Sequence, residues 1–315
     1  MSTHLAHCAL LAAPGIQRRA SFAPTRVPPA RRRGAALPPR AAAEPSSSAA
    51  AASPSSADAP VGNPLPLPAD SREAVDQAFE SIRRAYAAGV RRQRVDLVLP
   101  LIGATDLDDW PGGIRQMFKA ASPMCEQLLR KLRTLEGLEG PLEARVLDAA
   151  DAVGSWEGAA LALVVFPTAE TLGEVRRVAE ERPGGLTLMV NPQYNAPDDF
   201  GFLPWVRAAA TELVGSFENG YSLQEGRISG DSVRWLYTWR EGEGGVWQVS
   251  VATGPATARC VLQRAGGQAA RPSYNEVAEL LRTLPWTMSS KSVFERGQAE
   301  LRFIQESAKQ VPRSK

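Results

Sequence analysis

The chain has 315 residues, with 36 Lys and Arg against 34 Asp and Glu, two His and three Cys, for a formal charge of +2. That balance hides a split. Residues 1–43 hold seven Arg, no Lys and no acid, the first acid being Glu44, which leaves 29 basic against 34 acidic residues downstream and a charge of −5 there. A mildly acidic body repels a polyanion, so nucleic acid is not an expected partner. Both histidines, His4 and His7, fall in the first ten residues. Once that segment is set aside, Ser-His-Asp and Cys-His catalysis and His-ligated metal sites are excluded. Cys125 and Cys260 are too few for a four-cysteine zinc site and too far apart for a CxxC pair, so free thiols in a reducing compartment are expected.

Residues 1–43 are rich in Ala, Arg, Pro and Ser, the composition of an organelle transit peptide, with cleavage expected near Arg40–Ala43. The apolar run Ala9–Ala13 is short and no Lys or Arg precedes it, which argues against a secretory signal. Residues 44–69 continue as Ala/Ser/Pro low complexity and are expected to be a disordered linker. A single α/β domain is expected over 70–288, followed by an amphipathic helix and tail over 289–315. No apolar run approaches the ~18 residues that span a bilayer.

Within the body, Asp70-Ser71-Arg72-Glu73 has the form of a capping box and predicts a helix to about Ala88, with Ala74, Ala78, Ile82 and Ala85 on one face. Val95–Ile102 reads as a strand. Asp108 or Asp109 can cap a second helix that runs toward Leu135 with a kink at Ser122-Pro123. Ala144–Leu147 is a short strand candidate. Ala160–Phe166 is a continuous apolar strand, the pattern of a sheet covered on both faces. A helix capped by Thr168 and a strand at Leu186–Val190 complete a βαβ unit, so these two strands should be parallel with a right-handed crossover. Trp205–Leu213 is expected to be helical. Glu218–Ile228, Val233–Arg240, Val246–Val251 and Ala258–Gln263 then read as an antiparallel meander. Ser273 caps a helix to Leu284, and Lys291 to about Lys309 reads as a last helix. The expected class is α/β, a mixed sheet with an N-terminal parallel part, a C-terminal antiparallel meander and helices on both faces.

There is no Gly-Lys dipeptide for a P-loop, no GxGxxG after a strand and no GxSxG elbow. No catalytic residue, cofactor or metal is assigned. Ligand-binding candidates come from two loops that follow strands: Asp106, Asp108, Asp109 and Trp110 in one, Asn191, Gln193 and Tyr194 in the other. Loops after the carboxyl ends of parallel strands gather on one edge, where ligands bind. With Asp198 and Asp199, five carboxylates can meet there as an oxygen-ligand site, but such residues routinely make caps and turns, and the spacing fits no calcium loop. Buried amides at a strand end hold either the neighbouring backbone or the polar edge of a ligand. Trp235, Tyr237 and Trp239 alternate onto one sheet face that Trp247 can share, an expected core. In the C-terminal segment, Val293, Gly297, Leu301, Ile304 and Ala308 form one helical stripe with Phe294 beside it, so Val293, Phe294, Leu301 and Ile304 are candidates for contact with a protein partner. That stripe packs on the domain or serves as the contact.

The Asp70–Ala88 segment leading to RRQRVDLVLPLIGATDLDDWPGG, the Phe166-Pro167 strand end and Val190-Asn191-Pro192-Gln193-Tyr194 resemble a plant, algal and cyanobacterial family of uncharacterised domains. The aromatic hairpin VRWLYTWREGEGGVWQVSV and Arg271-Pro272-Ser273 extend that resemblance, which covers roughly residues 70–285. Tyr194 stands where many relatives have Trp. Similar domains occur in Low PSII Accumulation-type chloroplast factors and fused to a plastid adenylate kinase. The resemblance implies a chloroplast protein of the stroma or the stromal face of the thylakoid, and it supplies no catalytic residues. The expected function is that of a non-catalytic auxiliary factor binding thylakoid or stromal proteins in photosystem II assembly or accumulation, with peripheral membrane association left open. The alternative is a small-molecule or nucleotide-binding regulatory domain.

Overall fold

The computed structural model describes residues 62–100, 113–194, 197–254 and 256–292. Residues 1–61, Asp106, Asp108, Asp109 and Trp110, and the stripe from Val293 onward lie outside the described residues.

Helix α1 (Ser71–Ala87) opens as its sequence predicts. Asp70 accepts the Glu73 N–H at 2.8 Å, and the Glu73 carboxylate accepts the Ala69 N–H at 2.8 Å. Strand β1 (Arg92–Asp96) starts three residues before the expected Val95 and stops at Asp96, with 97–100 irregular. Polar residues extend it at the start with most of their groups partnered, although the buried Gln93 Oε1 has no donor among the described residues. The fully buried Gln93 amide donates to the carbonyls of Ile82 and Val90 at 3.2 and 3.0 Å, while Arg94 pairs with Asp96 at 3.1 Å. Helix α2 (Ile114–Leu132) carries Pro123 inside it, and the Ser122 hydroxyl donates to the Phe118 carbonyl one turn back at 2.8 Å.

Strand β2 (Glu143–Asp148) pairs antiparallel with β3 (Val153–Glu157), which was not foreseen from the sequence. Strand β4 (Leu161–Val165), helix α3 (Leu172–Glu180) and β5 (Leu186–Val190) form the expected βαβ unit, with Leu161 in register with Leu186 and the strands parallel. The helix starts later than Thr168 because Thr168 and Thr171 first close a turn: the Thr168 N–H donates to the Thr171 hydroxyl at 2.8 Å. After a 3-10 turn at Pro197–Phe200 comes α4 (Pro204–Gly215). The meander follows as β6 (Glu218–Ile228), β7 (Asp231–Arg240), β8 (Gly244–Gly254) and β9 (Thr257–Ala265), all antiparallel to their neighbours in sequence. Helix α5 (Tyr274–Thr283) begins at a full capping box of Ser273 and Glu276.

Among the described residues the strands form one sheet in the order β2-β3-β4-β5-β1-β6-β7-β8-β9, with β1 parallel to both β5 and β6. On one face α1 and α2 bury Val95, Leu163, Leu188, Val190, Tyr221 and Leu236. On the other, α3 and α4 cover Ala162, Val164 and Met189, and α5 covers the aromatic meander face with Trp235, Tyr237 and Trp247. Tyr237 and Trp247 are directly opposed, ring centroids 4.9 Å apart, so the alternating aromatics are core.

Residues 62–69, the end of the segment expected to be a disordered linker, belong to the fold. Leu65 donates its N–H to the Gln248 side chain and accepts from the same amide, both at 2.9 Å, and the Pro66 carbonyl accepts from Gln77 at 3.0 Å. Leu65 and Leu67 pack against the core on the α1 side. Prolines at 64, 66 and 68 favour extended backbone and remove three N–H groups, so this strap needs few partners to lie across the sheet.

Candidate functional site at the carboxyl edge of the parallel strands

The chain leaves β5 toward α4 on one face of the sheet and leaves neighbouring β1 toward α2 on the other. Adjacent strands whose exits diverge to opposite faces define the switch point where open α/β sheets place their ligands. The two expected loops do start side by side there. Asn191 follows β5 with φ +47 and bridges to β1: its Oδ1 accepts the Leu97 N–H at 2.7 Å and its Nδ2 donates to the Leu97 carbonyl at 2.8 Å. The amide thus continues the parallel ladder past Val95 and Val190. Gln193 donates to the Phe166 and Asp151 carbonyls at 2.8 and 3.1 Å, tying the end of β4 to the same edge. Phe166 itself sits at φ +56, a strained conformation for a bulky residue, held by its N–H to the Val190 carbonyl at 2.9 Å.

Asn191, Gln193 and Tyr194 therefore come together as expected, and what the amides hold is the neighbouring backbone. Tyr194 is buried, packs edge-on to Phe200 at 5.0 Å and donates to the Met189 sulfur at 2.8 Å; burial pushes its hydroxyl well above the usual range. Its ring fixes the start of the next segment. Just beyond Phe200 the chain presents a shelf of apolar side chains to solvent: Phe202 is 98 % exposed and Trp205 67 %, with Leu203 and Val206 also exposed. Along α4 only Leu213 is buried. Arg207 and Glu212, with Phe202, Pro204, Ala208 and Thr211, line a groove of about 580 Å³ on this helix.

Between the core under α3 and α4 and the core under α5 runs a polar seam on β1 and β6 that the sequence reading missed. Asp96 accepts from Arg94 at 3.1 Å, from the Ser222 hydroxyl at 3.0 Å and from the Gln224 amide at 3.1 Å. Gln224 passes the chain on, its carbonyl accepting from Arg271. The available signal was the alternation Arg92-Gln93-Arg94-Val95-Asp96, which puts charges on one face of a central strand. Among the described residues no group of three or more His, Cys, Asp or Glu side chains is placed to hold a metal ion, and no helix is long and apolar enough to cross a membrane. Cys125 and Cys260 are free thiols; burial pushes Cys125 up to about 12, which makes it inert as a nucleophile at neutral pH.

Residues 68–279 match the model of a family described as Domain of unknown function (DUF1995). The chain belongs to this family. No curated protein and no solved structure matches it. The DUF1995 match runs from the strap at Pro68 to Glu279 inside α5, so it takes in the whole sheet, the switch point and the polar seam. It leaves out residues 62–67, whose contacts with Gln248 nevertheless make them part of this domain.

Proposed function

We propose that this protein is a non-catalytic auxiliary factor of the chloroplast that binds a stromal or thylakoid protein during photosystem II assembly or accumulation. The observation that carries the binding role is the shelf Phe202, Leu203, Trp205 and Val206, held out in solvent beside a stiffened strand edge. Aromatic anchors on a rigid base are what dominate binding energy at protein interfaces, and here two aromatics, Phe202 and Trp205, stand exposed together with two aliphatics, Leu203 and Val206, while most described aromatics lie in packed clusters. Charges of both signs, Arg207 and Glu212, flank the shelf. That suits a protein surface better than an anionic bilayer, which favours Lys and Arg. The acid-free, arginine-rich residues 1–43 support plastid import, and the likeness to Low PSII Accumulation-type factors supports the photosystem setting.

The test is native co-purification from chloroplast stroma and solubilised thylakoids with the full chain and with Phe202→Ser/Trp205→Ser. The natural chain should retain a photosystem II subunit or assembly protein that the double variant loses, with unchanged melting temperature. Identical partners on both baits would overturn the role of the shelf. Sedimentation of the natural chain with protein-free thylakoid-lipid vesicles, lost in the variant, would replace the protein partner with a membrane.

A further inference from the structure

The polar seam ends in a cavity that the docking role does not use. The cavity has a volume of about 520 Å³, within the range of small-molecule sites, and lies where β6 and β7 meet the start of α5. Its floor is Trp235. The benzo edge of that ring lies over Gly226, where a Cβ would come within 2.9 Å, so the absence of a side chain at 226 is what lets the indole lie flat across β6. Trp235 is 6 % exposed, and its Nε1–H, buried, has no acceptor among the described residues. A buried unpaired indole N–H is costly and uncommon.

The walls are unevenly charged. Glu225 is held by Arg234 at 2.6 Å, and Glu276 by Arg264. Among the described residues Arg271 has no such carboxylate. Its hydrogen-bond partner is the neutral Gln224, with the Trp247 ring 5.7 Å from its guanidinium carbon. Burial lowers its affinity for its proton, Asp96 working against that at longer range, yet a guanidinium stays charged at any physiological pH. At the same wall the capping box satisfies the Glu276 N–H, while the Tyr274 and Asn275 N–H groups belong to the first turn of α5, where the helix itself supplies no acceptor. Helix N-termini favour anions. Tyr274, which also lines the cavity, stands 56 % exposed, an uncovered aromatic ring.

From this arrangement we infer that the cavity binds a small organic anion carrying a flat unsaturated ring. The anionic group, carboxylate or phosphate, sits on the Arg271 fork and the first N–H groups of α5. The ring lies against Trp235 and Tyr274. An anion alone leaves the Tyr274 ring in water, and a neutral ring alone leaves the guanidinium uncompensated, so the two features select the combination.

The probes are phenyl phosphate, benzoate, inorganic phosphate and benzyl alcohol, titrated into the full chain by calorimetry. Phenyl phosphate or benzoate should bind saturably and at least about tenfold more tightly than inorganic phosphate, with benzyl alcohol weaker still. Arg271→Ala should remove the preference for the charged ring. Arg271→Lys should keep part of it, since lysine retains the charge without the two-pronged geometry. Tyr274→Ala should weaken the ring-bearing anion several-fold and leave inorganic phosphate unchanged, at an unaltered melting temperature because Tyr274 is largely in solvent. Failure of both ring-bearing anions to bind more tightly than inorganic phosphate, or binding indifferent to both Arg271→Lys and Tyr274→Ala, would overturn the inference.

Discussion

In the parallel half, β4 and β5 are five residues each and buried at every position, with helices on both faces. In the antiparallel half the strands run to nine to eleven residues and their two faces differ. One face is aromatic and covered by α5. The other buries polar side chains, Gln248 and Ser250 among them, each no more than 3 % exposed. Helix α1 covers part of this face over Tyr221 and Leu236, but an apolar helix over Gln248 and Ser250 would strand the amide and the hydroxyl. The strap at 62–69 brings backbone N–H and carbonyl groups instead, and Gln248 takes one of each. The parallel half is thus closed by side-chain burial and the antiparallel half partly by hydrogen bonds to a segment far away in sequence. The polar seam runs along the boundary between the two.

The largest loss of stability is expected in the parallel half. Leu188 in the middle of β5 is fully buried between the layers. Leu188→Ala should cost about 3 kcal/mol, the lost burial plus an unfilled cavity, read as a lower denaturant midpoint for the whole domain. Gln248→Ala tests the other half. It removes both strap hydrogen bonds and leaves the Leu65 N–H and carbonyl without them, for about 2 kcal/mol. Limited proteolysis distinguishes the two variants. Gln248→Ala should open cleavage within 62–69 while the sheet stays resistant, and Leu188→Ala should raise cleavage everywhere at once. A strap that stays protected in Gln248→Ala would show that the apolar contacts of Leu65 and Leu67 hold it, not the amide.

The same contrast explains what the sequence made legible. Leu186–Val190 and Glu218–Ile228 match the observed strands to the residue, the first because a short continuous apolar run marks a strand covered on both faces. Val153–Glu157 carried none. Gly154 and Ser155 break the pattern for packing reasons, since a Cβ at Gly154 would lie 2.9 Å from the Phe118 ring, which stacks on Trp156. The strap looked like a spacer because Pro64-Leu65-Pro66-Leu67-Pro68 has no helical or strand period of its own; its order comes from Gln248, more than 180 residues away. At the edge, Asn191 and Gln193 were legible as a group, but whether an amide serves backbone or ligand depends on what lies beside it. Asp96, Gln224 and Arg271 come from three distant segments, and only the sheet brings them into one chain of hydrogen bonds.

Glu157, on the antiparallel β3 at the outer end of the N-terminal half of the sheet, shows how a polar group is buried there when no strap is at hand. Its side chain at the end of β3 is 5 % exposed and accepts from the Ser155 hydroxyl at 2.7 Å and from both terminal nitrogens of Arg177 at 3.1 and 3.2 Å, with Arg182 at 3.6 Å. Burial alone would raise its carboxyl, but the hydrogen bonds from Arg177 and Ser155 outweigh that and hold it below the usual carboxylate range. Its proton affinity is therefore lower folded than unfolded. The resulting stabilisation is fully present above the unfolded value, about 4.3, and is lost as pH falls through the folded one. Glu157→Gln keeps the shape and the acceptor oxygen without the charge, so it should cost about 1 kcal/mol at pH 7. Urea melts at neutral pH and at about pH 3.5 check this, the gap between natural chain and variant narrowing in acid. The loss in Gln248→Ala should stay constant over the same interval, since the groups it touches there, the Leu65 backbone, the Ser250 hydroxyl and the Arg240 guanidinium, do not titrate between those values. A Glu157→Gln deficit that is just as large in acid would mean that shape, not charge, holds this corner, and that the two halves bury their polar groups in the same way.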